Sequence, residues 1–377
     1  MLLRASVKSN IRTVMGEETE RLPCAKAPKR RGEEIRRALK ERKLLRTDAR
    51  ITSDDTYIYL PLVRTLTDAE LEELGGTELT TREFALVERR KSIENILGFK
   101  PSYEVVGDIA VLTEAVPAEE EEHVADALMG LYRNIKVVAK RISAVEGVYR
   151  TRRLAVLAGE NRTETTHTEN ECRFQLDLER VYFNPRLAGE RNRVAAQAAA
   201  QRSGRPEEII DMFAGVGPFA VQIAKRAPQS HVTAIDINPD AIRYLTENME
   251  LNHVQNVDAV VGDVKEIYGT FRNTADRIIM NLPKSAYLFL GEALSMLKPS
   301  GGIIHFYDLE SAYSADDAEK HEVIERAMTQ AKELLLSAIQ DLSGESPGYS
   351  VEIKDTRKVK PYAPYAYIIG IDAWIER

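Results

Sequence analysis

Four side chains able to grip a polar ligand each close an apolar run: Asp211 in E-I-I-D, Asp236 in T-A-I-D, Asp263 in V-V-G-D and Asn281 in I-M-N-L-P-K. Gly215 and Gly217 follow the first of them in D-M-F-A-G-V-G-P-F-A. Glycines between a strand and a helix let backbone approach a ligand at the sheet edge. Taken alone, G-V-G-P-F-A also satisfies the dinucleotide pattern, so the loop does not choose between cofactors. Asp236, 25 residues after Asp211, could accept ribose hydroxyls of NAD or of an adenosine cofactor. Asp211 separates the two readings. A carboxylate just before the glycines would repel a pyrophosphate but suit the ammonium of S-adenosylmethionine. Asp263 could then accept the adenine amino group. Phe213, Ile237 and Val264 flank these acids, and Asn281 with Pro283 shapes the fourth strand end, which completes the expected S-adenosylmethionine site.

The elements that must hold these residues follow from periodicity. From Glu190 onward, strands expected near 208–212, 231–235, 257–261, 276–280 and 302–306 alternate with helical stretches, beginning with a helix at 189–202. Such alternation means βαβ units and a mostly parallel sheet. Tyr349–Lys354 and Tyr367–Trp374 add a terminal antiparallel pair. The fold class is therefore α/β, a Rossmann-like class I methyltransferase domain with a seven-stranded sheet over 189–377. An α+β middle domain is expected over 75–188. It holds a strand pair around Gly107-Asp108, a helix at 118–132, a strand at 135–139 and a period-two run at 173–183. Residues 21–66 form a small basic domain with a helix at 31–46 and a hairpin at 47–63, joined onward through Gly75-Gly76. Residues 1–20 read as an extension. Arg4, Lys8 and Arg12 without an acid in the first 14 residues are compatible with a targeting presequence or with a start upstream of Met15.

A chain of 377 residues exceeds one ordinary core, which agrees with two or three domains. Two cysteines, Cys24 and Cys172, lie far apart without a C-x-x-C pattern. They offer no disulfide framework or zinc site, and a reducing, cytoplasmic setting is expected. No apolar run approaches the roughly 20 residues that span a bilayer. A net charge of −7 argues against non-specific coating of nucleic acid. The charge is uneven, however: 12 Lys/Arg against 4 Asp/Glu lie between Arg21 and Arg50. Helical i,i+4 pairing accounts for part of that excess. The remainder makes Lys26, Lys29, Arg30 and Arg31 candidates for phosphate contact.

Three segments outside the cofactor fold narrow the substrate: C-A-K-A-P-K-R-R-G-E-E-I-R-R at 24–37, Y-R-T-R-R-L-A-V-L-A-G-E-N-R-T at 149–163 and V-Y-F-N-P-R-L-A-G-E-R at 181–191. Together with D-M-F-A-G-V-G-P-F and M-N-L-P-K, they resemble the archaeal-eukaryal tRNA (guanine-37-N1)-methyltransferases over about residues 22–377. The resemblance implies a tRNA-binding N-terminal domain, a monomer, and tRNA contacted at its anticodon loop and body. The chemistry has requirements of its own. N1 of guanine is a lactam N–H, so transfer from a sulfonium needs a base at N1, a donor at O6 and in-line placement.

By the resemblance, the base falls on Glu190, the guanine-orienting arginine on Arg150 and the fourth-motif amide on Asn281. Read from the residues alone, Glu190 could equally be an acid favoured by a helix start. Arg150, clustered with Arg152 and Arg153, could be a solvated loop. Tyr182 and Phe183 could stack on bases or be buried strand aromatics. Arg186 and Lys284 are candidates for phosphate contact. A cytosine-C5 enzyme would need a cysteine near M-N-L-P-K, and an exocyclic-amine enzyme an aromatic at Lys284. The closest alternative is a wyosine-pathway paralogue that transfers an aminocarboxypropyl group or methylates carbon of a tricyclic guanosine. Outside that class stand a non-catalytic tRNA-binding protein and a nicotinamide oxidoreductase.

Overall fold

The computed structural model describes residues 11–14, 17–86, 92–143, 147–200, 205–312, 320–343 and 348–377. It divides into two compact units, 1–92 and 93–377. In the first, the long strand Glu17–Pro28 pairs antiparallel with Ile11–Val14, Tyr57–Pro61 and Glu78–Ala85. Helix Gly32–Glu41 buries Ile35 and Leu39, one turn apart, among Ala25, Ala27, Leu60 and Leu62. The expected hairpin is present as Thr52–Ser53 and Tyr57–Pro61. Asp54 turns it by accepting from the backbone N–H groups of Thr56 and Tyr57.

Two sequence boundaries shift here. Residues 11–14 and 17–20 are strand, not an extension. Glu78–Ala85, expected in the middle domain, belongs to this first sheet. Of that strand only Phe84 is fully buried, so its sequence carries little apolar alternation to announce it. Helix Asp68–Glu73 begins with a capping box, Thr67 accepting from Glu70 N–H while the Glu70 carboxylate accepts from Thr67 N–H. Thr67→Ala is expected to destabilise this unit by about 1 kcal/mol. Hydrogen exchange over residues 68–74 would read it, and unchanged protection there would refute the assignment.

In the second unit, a four-stranded sheet runs Tyr103–Val106, Ile109–Leu112, Val137–Arg141, Leu154–Gly159, with helix Glu121–Leu131 packed on it. The hairpin Glu164–Glu169/Cys172–Asp177 follows. Its period-two pattern ends in a turn after Asp177, short of the expected 183. Asn248 and Asn252 of helix Pro239–Asn252 each both donate to and accept from the backbone of this hairpin, at Gln175 and Arg173 respectively. Those buried amides satisfy an edge that would otherwise be unpaired. The middle and catalytic parts thus form one body, with no divide at 188.

The large sheet has the order Val257–Val261, His231–Asp236, Glu208–Asp211, Arg277–Met280, Gly302–Ser311, Ala366–Glu376, Ser350–Ala363. The first five strands are parallel, and Ala366–Glu376 runs antiparallel to both of its neighbours, Gly302–Ser311 and Ser350–Ala363. Strand order reverses between Glu208–Asp211 and Arg277–Met280, and a crevice opens at the carboxyl ends of a doubly wound sheet at such a point. Apolar clusters fill both faces, one around Phe219 and Leu245 and the other around Leu290 and Ile339.

Candidate active site

A cavity lies at that reversal. Its wall includes Arg150, Phe213, Gly215, Asp236, Ile237, Asp263, Val264, Asn281, Pro283 and Lys284, all expected site residues. Asp211 ends the central strand just behind the wall and is fully buried. Neither of its carboxylate oxygens has a hydrogen-bond partner. Burial pushes its pKa up to about 7, offset in part by the nearby Phe213 N–H and increased by Asp236. A native buried carboxylate left unpaired is a defect unless a ligand completes it. The ammonium of S-adenosylmethionine is a group of the required charge, so the residues present fit that cofactor.

The loop after Asp211 divides its two glycines between two tasks. Gly215 lines the cavity, and its N–H donates to Asp236 at 2.7 Å. Gly217 does not line it: at φ 82° it starts helix Pro218–Arg226, and a Cβ there would stand 2.1 Å from Leu245 Cδ1. Its role is close helix packing, not ligand approach. Asp236 accepts also from Asn238 N–H at 2.9 Å, and burial holds its pKa above the ordinary carboxylate range. Asp263 caps helix Val264–Ile267 by accepting from Lys265 N–H. Phe213 meets Phe289 edge-on, which fixes the floor between the two acids.

Residues from outside the sheet close the mouth. Arg150 has φ 56°, a left-handed conformation unusual for a side-chain-bearing residue, and its guanidinium stands over the Tyr182 ring at 5.6 Å. Tyr182 is 37% exposed on the wall, whereas Phe183 is 7% exposed and meets His167 edge-on. The two aromatics that sequence left equivalent therefore divide into one exposed ring and one largely buried ring, both bordering the cavity. Asn184, Arg191 and Tyr362 are among the wall residues that escaped the sequence reading. Asn184 and Arg191 flank the expected Arg186 and Glu190, and Tyr362 arrives from the C-terminal hairpin to stand 5.0 Å from Lys284 Nζ. Arg191 is held rigid by a bidentate pair with Glu169. Arg186 pairs with Glu104 outside the cavity.

Glu190 stands apart from the other expected residues. It is not on the cavity wall but buried at the start of helix Ala188–Ala199. Its carboxylate accepts from Arg193 at 2.8 Å, Arg357 at 2.5 Å and the Tyr307 hydroxyl at 2.7 Å. Burial would raise its pKa, but Arg357 and Arg193 outweigh that and bring it to about 2. With these bonds in place it is no free base. The network continues: Arg193 and Arg357 also donate to Asp372. His305 Nδ1 lies 2.8 Å from Asp372, its Nε2 faces Arg277, and Arg277 pairs with Glu207. Burial lowers the pKa of His305, so it bridges as the neutral ring, donating at Nδ1 and accepting at Nε2.

Within the first unit the basic candidates also differ among themselves. Lys26 pairs with Glu78 and stands over Tyr57. Arg31 pairs with Glu34 and donates to the carbonyl of Gly75, which makes it a strut for the turn there. Lys29 and Arg30 are exposed.

Comparison with known proteins agrees with this geometry. Residues 165–338 match the family model of the TRM5/TYW2 methyltransferase domain, 24–70 the tRNA methyltransferase 5 N-terminal domain and 89–163 the TYW2 N-terminal domain. The chain is 37% identical over 358 residues to tRNA (guanine(37)-N(1))-methyltransferase Trm5b of Pyrococcus abyssi, covering 93% of this chain and 98% of that protein. It is 29% identical to the tRNA(Phe) (4-demethylwyosine(37)-C(7)) aminocarboxypropyltransferase of Methanocaldococcus jannaschii, across 73% of this chain and 98% of that one. Among solved structures, a complex of aTrm5 with tRNALeu superposes with a TM-score of 0.59 at 32% identity, covering 94% of this chain and 99% of that chain. On sequence, fold and cavity alike, the chain belongs to the TRM5/TYW2 methyltransferase family.

Proposed function

We propose that this protein transfers a methyl group from S-adenosylmethionine to N1 of guanosine 37 in tRNA. The observation that carries this over the wyosine-pathway alternative is the extent of the likeness. It runs to Trm5b across 93% of this chain, first unit included, whereas the likeness to the aminocarboxypropyltransferase covers 73%.

When bound, S-adenosylmethionine supplies an electrophilic methyl group on sulfur. Asp211 would hold its ammonium, Asp236 its ribose hydroxyls and Asp263 its adenine. Asn281 and Arg150, both on the cavity wall, donate to the guanine edge and to the charge that grows on O6. Tyr182 offers a face for a nucleotide splayed from the anticodon-loop stack. Asp236 and Asp263, the acids on the wall, are committed to the cofactor. The proton on N1 is therefore assigned to Glu190 in the RNA-bound state, after Arg357 turns away from it. Lys29, Arg30 and Lys284 are proposed phosphate contacts. A monomer is proposed on the family resemblance. A tRNA substrate and two buried free cysteines, Cys24 and Cys172, support a cytoplasmic setting.

The experiment is methyl incorporation into tRNA transcripts bearing guanosine, inosine or adenosine at position 37, with the product nucleoside identified by mass. Guanosine should give N1-methylguanosine. Inosine, which shares the lactam N–H, should react more readily than adenosine. An aminocarboxypropyl product, or methylation of adenosine alone, would overturn the assignment.

A further inference from the structure

Beside the methyl-transfer cavity lies a second, smaller hollow, and the Phe183 ring borders both. Its wall includes Glu104, Arg141 and Arg152. Arg186 reaches the same acid from the loop after Phe183, pairing with Glu104 at 3.2 Å, while Arg141 pairs with it at 2.6 Å. Lys360, on strand Ser350–Ala363, is close enough to feel Glu104, Arg186, Arg141 and Arg152. Four cations from four separate segments thus converge on one carboxylate.

The arrangement is costly to the fold. Arg152 and Lys360 have no hydrogen-bond or ion-pair partner among the described residues. The Nε of Arg141 is buried and also without a partner. Burial, reinforced by neighbouring cations and only partly opposed by Glu104, holds both Arg152 and Lys360 below their ordinary pKa values. Uncompensated like charges held together at a cavity rim are retained where a ligand supplies the missing anion. A phosphodiester brings one negative charge and acceptor oxygens that a guanidinium fork takes in pairs.

We propose that Arg141, Arg152, Arg186 and Lys360 form a phosphodiester site that holds the RNA backbone next to the nucleotide being methylated. The proposal rests on the tRNA reading above and adds a location that neither the cofactor acids nor the basic N-terminal segment provides. It also explains why Arg186 sits off the cavity wall while following Tyr182 so closely: it would hold the backbone, while Tyr182 meets the base.

The test uses the full-length protein and tRNA transcripts, with Arg152→Gln, Lys360→Gln and the double variant. The double variant should raise the KM for tRNA at least tenfold. It should also flatten the dependence of log affinity on log salt by about 1 for each phosphate that is no longer neutralised. Affinity for S-adenosylmethionine should be unchanged. The melting temperature should be equal or higher, since repulsion is relieved. A series of tRNAs with single methylphosphonates around the target nucleotide then locates the phosphate concerned. One position should weaken binding to the wild type yet add nothing in the double variant. Wild-type affinity and salt slope in the double variant would overturn the proposal, as would loss of cofactor affinity and melting temperature alongside tRNA affinity. Failure of the wild-type protein to bind tRNA at all would remove the tRNA reading itself, and this site with it.

Discussion

Glu190→Gln is expected to lower the stability of the unit 93–377 by roughly 3–5 kcal/mol, the usual consequence of removing one partner from a buried charge network. The network is balanced. Glu190, Asp372 and Glu207 face Arg193, Arg357 and Arg277, and His305 bridges them as a neutral ring. Glutamine keeps the shape but leaves one cation in excess. Pairing it with Arg357→Gln restores neutrality and should recover much of the loss, so the two changes will be strongly non-additive. The acid side follows from the same bonds. The Glu190 pKa lies near 2, below its ordinary 4.5, so its stabilising contribution is present above about pH 4.5 and is lost as pH falls toward 2. Denaturant unfolding at pH 5 and pH 3 would show this dependence in the wild type and a weaker one in the variant.

Catalysis separates two roles for the same residue. If Glu190 accepts the N1 proton, single-turnover methylation in Glu190→Gln should fall at least 100-fold with both substrates saturating, within the usual contribution of a general base. Arg357→Gln, which loosens the cage, should then keep activity and raise the pH at which the rate begins to climb. If Glu190 only positions the helix that carries Leu187 and Arg191 to the cavity, the double variant should regain rate together with melting temperature. Recovery of both would remove the proton-acceptor assignment.

Asp211→Asn is expected to weaken S-adenosylmethionine binding about 100-fold or more, the range for deleting a buried charge from its counter-ion. The cofactor-free protein should meanwhile melt no lower, and at pH 8 somewhat higher. The Asp211 pKa is raised from 3.8 to about 7 without ligand, so the folded state holds a proton that the unfolded chain has released. Stability of the free protein therefore falls as pH rises from about 4 through 7. Cofactor binding needs the ionised form and strengthens over the upper part of that window. Calorimetric titration at pH 6 and pH 8 should show tighter binding at pH 8 in the wild type and no such difference in the variant. Equal wild-type affinities would place the ammonium elsewhere.

The gathering of the cofactor candidates around one cavity was legible because its signal is local. Strand, acid, glycine turn and helix follow within a dozen residues around Asp211, and strand, acid and helix recur at Asp236 and Asp263. What could not be read depends on residues brought together from afar. The partners of Glu190 include Arg357 and Tyr307, and the sequence around Glu190 looks like any helix start. Gly217 carries the motif, yet its conformation serves Leu245. The strand Glu78–Ala85 shows too little apolar alternation to reveal that it closes the first sheet. Tyr182 and Phe183 alternate as a strand pair should, but the chain turns after Asp177, so period two no longer decides which ring is buried. Arg141, Arg152 and Lys360 belong to three unrelated stretches, and only the four-stranded sheet and the C-terminal hairpin make them neighbours.

The hairpin Ser350–Ala363/Ala366–Glu376 has a bearing on the order of synthesis. It inserts its second strand beside Gly302–Ser311 and brings Arg357, Asp372 and Tyr362 with it. A ribosome-bound chain that has emerged only through residue 343 already owns the glycine loop and the three acids proposed to hold the cofactor. It lacks both the Asp372 counter-ion of Arg193 and one aromatic wall of the cavity. The nascent protein can thus form the cofactor loop before it can form the complete reaction chamber, and chemistry waits for the final strand to join the sheet.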